Sequence, residues 1–184
     1  MTFRVVPIGV EHIQRFRETT DAVFRESRMF VFLEGPPIEQ VTDFVQGMLS
    51  RGEPQFVALD QDNLVGCCDI VVKPRPTLRH SGVLGIGVLS SHRGRGIGRA
   101  LMGTALQAAV AYGLARVELF VRTDNSHALR LYEKLGFTVE GVLRQHLLID
   151  GVFRDSYLMS ILYEKAQPAG RGEPPPATVF ARPS

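Results

Sequence analysis

Apolar residues recur along this chain with two different periods, and the switches between them mark its elements. Over residues 11–28, Ile13, Phe16, Thr20, Val23 and Phe24 fall at the spacing of one helical face. Ile38, Val41, Phe44, Val45, Met48 and Leu49 repeat that pattern and stop at Arg51-Gly52, which predicts a second amphipathic helix with a glycine end. Between the two, residues 29–37 (MFVFLEGPP) form a hydrophobic loop broken by glycine and two prolines, material for a substrate wall, an interface or plain loop packing. Strand-like runs occupy 3–6, stopped by Pro7, and then 55–59 and 64–73, which flank Asp60-Gln61-Asp62-Asn63 as an antiparallel hairpin. KPRP at 73–76 cannot continue a central strand. Val83 to Val88 is the next strand, and Gly85 and Gly87 inside it signal a bulge or a close backbone approach.

The second half alternates more regularly. A helix runs to about Tyr112 with Gly113 as its cap, and a strand covers 116–121. Thr123-Asp124-Asn125-Ser126 opens a further helix, with Ala128, Leu131 and Leu135 on its inner face and Gly136 at its end. Strands over 138–148 and 152–163 are joined at Asp150-Gly151, a strong hairpin turn. This order predicts an α+β architecture, a mixed sheet with helices on both faces. Its boundaries are one domain over 1–166 and a Pro/Gly-rich tail over 167–184. The tail lacks apolar periodicity, and Val179 and Phe180 are its material for contact with a partner.

Composition adds bounds rather than an identity. At 184 residues, 45% hydrophobic and 22% charged, the chain has the make-up of a soluble globular domain. A net charge of +2 gives no bulk electrostatic case for nucleic acid or a membrane surface. No apolar run has transmembrane length, and the start lacks a signal peptide's apolar core, so a cytoplasmic protein is expected. Cys67 and Cys68 are neighbours on a strand and point to opposite faces, a poor disulfide or metal pair. No metal is expected.

The candidate chemistry lies in Arg93-Gly94-Arg95-Gly96-Ile97-Gly98, between the strand ending at Val88 and the following helix. Alternate glycines remove side chains where a ligand would come close to the backbone, and a helix N-terminus attracts phosphate. His92, Arg93, Arg95 and Arg99 add donors around the same point. The P-loop is excluded because no Gly-Lys-Ser/Thr follows. The dinucleotide fingerprint fails in both registers, at Arg99 counting from Gly94 and at Leu101 counting from Gly96. A glycine-rich turn that only turns the chain is the other reading of these six residues.

Arg-x-x-Gly-x-Gly in this setting resembles the acetyl-CoA loop of the GNAT N-acetyltransferases. Residues 125–137, NSHALRLYEKLGF, resemble that family's second signature in spacing and order. The resemblance covers about Phe56 to Tyr163. Residues 144–162 look like the closing hairpin of the branch that holds ribosomal-protein alanine, polyamine and amino-acid acetyltransferases.

The resemblance implies about seven strands, splayed between the fourth and fifth, with acetyl-CoA as cosubstrate and an amine as acceptor. It implies that the Ile86 amide polarises the thioester carbonyl and that Val88 pairs with pantetheine. The amides of Arg93, Gly94, Arg95, Gly96, Ile97, Gly98 and Arg99 would hold the pyrophosphate, and Asn125 would contact the cofactor. Tyr132 would bind beside the thiol and protonate the departing thiolate.

One part of the pattern is broken. Many relatives carry a Glu four residues ahead of the position of Ile86, where this chain has Gly82. His80, Glu34 and Glu118 are the candidate bases, beside water-mediated deprotonation that needs no fixed residue. The expected activity is direct attack of a primary amine on acetyl-CoA, in a possible homodimer. A non-catalytic acyl-CoA sensor is the alternative, and a nucleic-acid module is disfavoured because the Arg cluster has no aromatic interleaving.

Overall fold

The structure is a computed structural model that describes residues 3–164; the tail at 167–184, with Val179 and Phe180, lies outside the described residues. Seven strands form one sheet: β1 (Phe3–Pro7), β2 (Gln55–Asp60), β3 (Asn63–Val72), β4 (Ser81–Val88), β5 (Arg116–Arg122), β6 (Thr138–Ile149) and β7 (Val152–Leu162). Their spatial order is β1-β2-β3-β4-β5-β7-β6. Every neighbouring pair is antiparallel except β4 with β5. Four helices complete the fold: α1 (Ile13–Ser27), α2 (Ile38–Arg51), α3 (Ile97–Tyr112) and α4 (Ser126–Lys134).

Strand alternation sorts the core into two halves. Val57, Leu59, Leu64 and Cys67 face Ile13 and Phe16 of α1 and Val41 and Val45 of α2. Ala58, Val65, Cys68 and Ile70 face the other way, against Leu101, Met102 and Ala105 of α3 and Tyr132 of α4. Adjacent Cys67 and Cys68 therefore lie in different cores, both buried and unpaired.

The elements follow the sequence pattern closely, with three differences of physical interest. The first helical stretch begins as a 3-10 turn over Val10–His12 before α1 proper. No bulge occurs at Gly85 or Gly87, since β3 and β4 stay in register from Gly66↔Val88 to Val72↔Gly82. The glycines instead admit neighbours: a Cβ on Gly87 would stand 3.1 Å from Val23 Cγ1 of α1, and one on Gly85 3.2 Å from Asp69 Oδ1. On α4 the most buried side chain is Tyr132, while Ala128, Leu131 and Leu135 are half-buried.

The feature that positions the site is a pairing that stops. β4 and β5 share only the rungs Ser81↔Arg116, Gly82↔Val117 and Val83↔Glu118. Beyond Val83, β4 continues against β3 alone, and β5 continues against β7 to Arg122↔Ser156. The sheet is splayed there, as expected.

Gly82 lies at this divergence, facing the core under α3. A Cβ there would stand 2.6 Å from Ile70 Cγ2 and 3.1 Å from Leu114 Cδ1. Gly82→Ala is therefore expected to destabilise the fold by about 1–3 kcal/mol, the usual cost of overpacking. Urea unfolding checks this, and an unchanged midpoint would show that the apex of the splay is looser than its contacts indicate.

Candidate functional site

The loop between β4 and α3 is pinned from several directions. Leu89 N–H donates to Val65 O at 3.0 Å, and Ser90 N–H donates to the Glu26 carboxylate of α1 at 3.1 Å. His92 Nε2 lies 3.5 Å from Asp60 Oδ2, and its Nδ1 is 2.8 Å from Ser91 Oγ. Gly94 and Gly96 take φ values of 75° and 81°, left-handed backbone that disfavours any side chain. No atom lies within 4 Å of where their Cβ atoms would be, so both open onto solvent.

Gly96 is the N-cap of α3, and Ala100 N–H donates to its carbonyl at 3.0 Å. The N–H groups of Ile97, Gly98 and Arg99 thus have no acceptor within the helix, and no acid stands in the first turn to satisfy them. Arg95 donates to Ser91 O at 2.8 Å, which folds its guanidinium over the loop. Arg99 lines an open hollow of about 430 Å³ along α3 with Gly96, Ala100, Gly103, Thr104 and Gln107. Positive charge, free amides and missing side chains coincide here, and this fits a diphosphate.

The loop leads into the splay. Lys73 N–H donates to Ser81 O and Leu89 N–H donates to Val65 O, so odd-numbered residues of β4 turn their polar backbone toward β3. The backbone groups of Leu84, Ile86 and Val88 consequently face the gap toward β5. Arg93 Nε fills part of it, donating to Val88 O at 3.0 Å. The Ile86 and Val88 side chains point the other way out of the sheet plane, toward Gly98 at the start of α3.

Asn125 caps α4: its Oδ1 accepts from Ala128 N–H at 3.2 Å. Two turns on, the Tyr132 ring is buried in the α3-side core, tilted against Phe137 at 6.1 Å between centroids. Burial, and then Cys68 nearby, push its phenol well above the ordinary range. The hydroxyl has no hydrogen-bond partner among the described residues, yet it is not among the fully enclosed unpartnered atoms. It therefore reaches solvent from an otherwise buried ring.

The three candidate bases lie apart. His80 is exposed at the end of β4 remote from the loop, about 20 Å from Ile86 at strand rise. Glu34 is exposed and pairs with Arg25 at 2.9 Å. Glu118 is buried with both oxygens engaged, by Lys73 Nζ at 2.6 Å and Arg116 Nε at 3.1 Å. Arg116 also grips Glu140, whose carboxyl is held down to about 2 by that guanidinium and by the Ser160 hydroxyl. Glu118 thus belongs to a charge network that seals the paired end of β4 and β5. The core packing at Gly82 explains why no acid stands there: a carboxylate would enter the apolar layer under Leu114.

Two groups near the gap were missed in the sequence. Asp69 of β3 pairs across with Gly85 and lies on the α1–α2 face. The signal was an acid inside an apolar strand run, GCCDIVV, which the strand reading of 64–73 passed over. His146 lies in an irregular stretch of β6, its ring 5.4 Å from that of Phe120 and its Nδ1 enclosed without a partner.

Comparison with known proteins places these features in context. Residues 18–137 match the sequence model of the acetyltransferase (GNAT) family. An L-amino acid N-acetyltransferase of Escherichia coli is 34% identical over 110 residues, 59% of this chain and 68% of that protein. A spermidine N(1)-acetyltransferase of Vibrio cholerae is 32% identical over 117 residues, 62% of this chain and 66% of its own length. The chain thus spans about two thirds of each of these two relatives. A Salmonella typhimurium protein solved with its cofactor acetyl-CoA has the same fold, with a TM-score of 0.85 at 17% identity over 93% of this chain and 100% of that one.

Proposed function

This chain belongs to the acetyltransferase (GNAT) family, and from that premise we propose that it transfers the acetyl group of acetyl-CoA to a primary amine. The amine attacks the thioester directly, through a tetrahedral intermediate and without a covalent enzyme. The observation that carries the reading is the gap that opens where β4–β5 pairing ends at Val83↔Glu118, continuous with the Gly94–Gly96 loop and the start of α3. A rod-shaped thioester with amides along it and a diphosphate at one end suits that combination. Both thiols are buried in the two cores, which leaves no cysteine available as an acyl carrier.

Each chain element then has a task. The amides of residues 93–99 bind diphosphate, with Gly96 held in the left-handed conformation that turns them outward. Ile86 N–H, directed into the gap, hydrogen-bonds the thioester oxygen and more strongly the oxyanion that develops from it. Val88 O exchanges its Arg93 donor for an amide of the pantetheine arm. Asn125 fixes the start of α4, and α4 carries Tyr132 to the gap. A phenol raised by burial stays protonated at neutral pH and can donate to a leaving thiolate, whose conjugate thiol has an ordinary pKa of about 8.5.

The acceptor is a primary amine of the kind the curated relatives take, an amino acid or polyamine, with a protein N-terminus as a further member of the class. A cytoplasmic setting suits two buried reduced thiols. A homodimer is supported by edge strand β6 and its hairpin partner, where Val139, Val142, Leu148, Val152 and Phe153 are 46–60% exposed. Sedimentation velocity at about 10–100 µM, the range where modest contacts register, is expected to show the dimer; a single monomer boundary removes that part.

Replacing Gly96 with Val should abolish acetyl-CoA binding, because the branched side chain at φ 81° rebuilds the loop. Calorimetry on the folded variant checks it, and unchanged affinity would remove the central claim. Thiol release on mixing the wild type with acetyl-CoA and a panel of L-amino acids, polyamines and N-terminal peptides tests turnover. Binding without release from any of them would favour the sensor.

Tyr132→Phe keeps the ring in its core position and deletes only the hydroxyl. If the phenol protonates the thiolate, kcat should fall ~10²–10⁴-fold with KM for acetyl-CoA little changed. A purely structural tyrosine predicts slightly lower stability with near-normal turnover. A folded variant within about threefold of wild type, far short of the general-acid range, returns the residue to the core. The acceptor used must be one for which chemistry limits the rate.

A further inference from the structure

We propose that Asp69 of β3 is the residue that takes the proton from the acceptor ammonium, on the sheet face opposite the one that carries Tyr132. The inference rests on the acetyltransferase reading and supplies the base that Gly82 does not.

Geometry comes first. Asp69 and Gly85 are Cα partners across β3 and β4, and Asp69 Oδ1 lies 3.2 Å from where a Gly85 Cβ would stand. Ile86, whose amide faces the gap, is the next residue. The carboxylate is therefore within roughly 7 Å of that amide, by the dimensions of one Cα step. This is the span of an amine held between thioester and base, or of one bridging water. Any residue but glycine at 85 would crowd the carboxylate and stand between it and the gap.

The face is also the right one. Gly87, on the same side of β4, abuts Val23 of α1, so Asp69 lies on the face that α1 covers. Tyr132 and the α3 loop occupy the opposite face with Cys68 and Leu101. An acetyl donor seated from the α3 side presents its carbonyl carbon through the gap to an amine arriving from the α1 side.

The surroundings favour a carboxyl that changes protonation near neutrality. Asp69 keeps partial solvent exposure but is closely surrounded by protein, and burial, then the Glu53 carboxylate, raise it to about 7. Glu53 is itself paired with Arg51 at 2.7 Å. From β2 the rung partner is Gln55, a neutral amide 4% exposed whose oxygen and nitrogen have no partner among the described residues. It makes no hydrogen bond to Asp69 and stands as an uncharged neighbour of the carboxyl. Gly85 brings no side chain from β4, and the buried residues of α1 and α2 are uncharged. Along β3, Cys67 is lifted out of the titrating range by burial, and Lys73 is committed to Glu118.

The step balances as follows. One ammonium proton moves to the Asp69 carboxylate, and the freed lone pair forms the C–N bond at the thioester carbon. The C–S bond then breaks with its electron pair on sulfur, which takes the Tyr132 proton. The second amine proton restores the phenol, and Asp69 releases its proton to water before the next turnover.

The test compares wild type with Asp69→Asn, which keeps the shape and removes the base. With the best amine of the turnover panel, Asp69→Asn should lose ~10²–10⁴-fold in kcat/KM while acetyl-CoA affinity is unchanged. The wild-type rise of kcat/KM through about pH 7 should be replaced by a rise that follows the free amine's own titration. A second readout needs no turnover. A carboxyl raised in the folded state opposes folding increasingly as pH climbs from its unfolded value toward 7, and fully above it. Asp69→Asn should therefore melt higher than wild type at pH 8, with the difference vanishing near pH 4.

An Asp69→Asn enzyme with wild-type turnover and an intact limb at pH 7 overturns the proposal alone. So does loss of that limb in His146→Asn with Asp69 in place, or an Asp69→Asn protein no more stable than wild type at pH 8. A wild type that acetylates no amine of the panel overturns it together with the function on which it rests.

Discussion

Backbone pairing between β4 and β5 lasts for three rungs and then stops in the middle of a seven-stranded sheet. Interior strands normally satisfy their polar groups on both sides, and an unpaired buried amide is costly. The interruption persists because each strand is tied elsewhere: β4 to β3 along its whole length, β5 to β7 along its whole length. At the closed end, the His80 carbonyl accepts from both Ala115 and Arg116, and the Lys73–Glu118–Arg116–Glu140 network locks the same corner. Everything proposed for the site uses the groups this divergence leaves over. The backbone of Ile86 and Val88 is available because β5 has turned away, and the loop and α3 follow from the open end.

Much of this was legible in the sequence because it is local. Helix ends at Gly52 and Gly113, the Asn125 cap and the Asp150-Gly151 turn are set by a few residues each, and the structure agrees. The alternate glycines of the loop were legible too, and Gly94 and Gly96 both take positive φ. The splay was legible only through resemblance, since no period in the sequence says where a strand stops pairing. Gly85 and Gly87 were read as a bulge or a close approach, and the approach is what occurs. A bulge and a close approach give the same glycine, and only the register of β3 against β4 tells them apart.

What stayed illegible is long-range. Glu118 read as a candidate base because its partner Lys73 is 45 positions away and meets it only through the sheet. Asp69 was passed over inside the 64–73 strand, since nothing in its own strand shows that Gly85 stands beside it. The inner row read from the sequence was Ala128, Leu131 and Leu135, and the most buried residue of α4 is Tyr132. Its ring lies in the α3-side core with Cys68 and Phe137.

The two faces of one strand then carry different halves of the chemistry. Successive residues on β3 alternate sides, so Cys68 packs toward Tyr132 while Asp69 lies on the face that α1 covers. Cys68 and Asp69 are the rung partners of Ile86 and Gly85, the positions that flank the reacting carbonyl in our reading. A proton donor for sulfur and a proton acceptor for nitrogen therefore need no long reach and no shared pocket. The sheet itself keeps them apart, which prevents the acid from simply neutralising the base. That separation also explains where selectivity must lie. The loop after α1, Phe120, His146 and the Arg28–Asp150 contact all border the α1 face, whereas the cofactor loop and α3 belong to the other. Changes on the first face alter which amine arrives, and the thioester on the second is held as before.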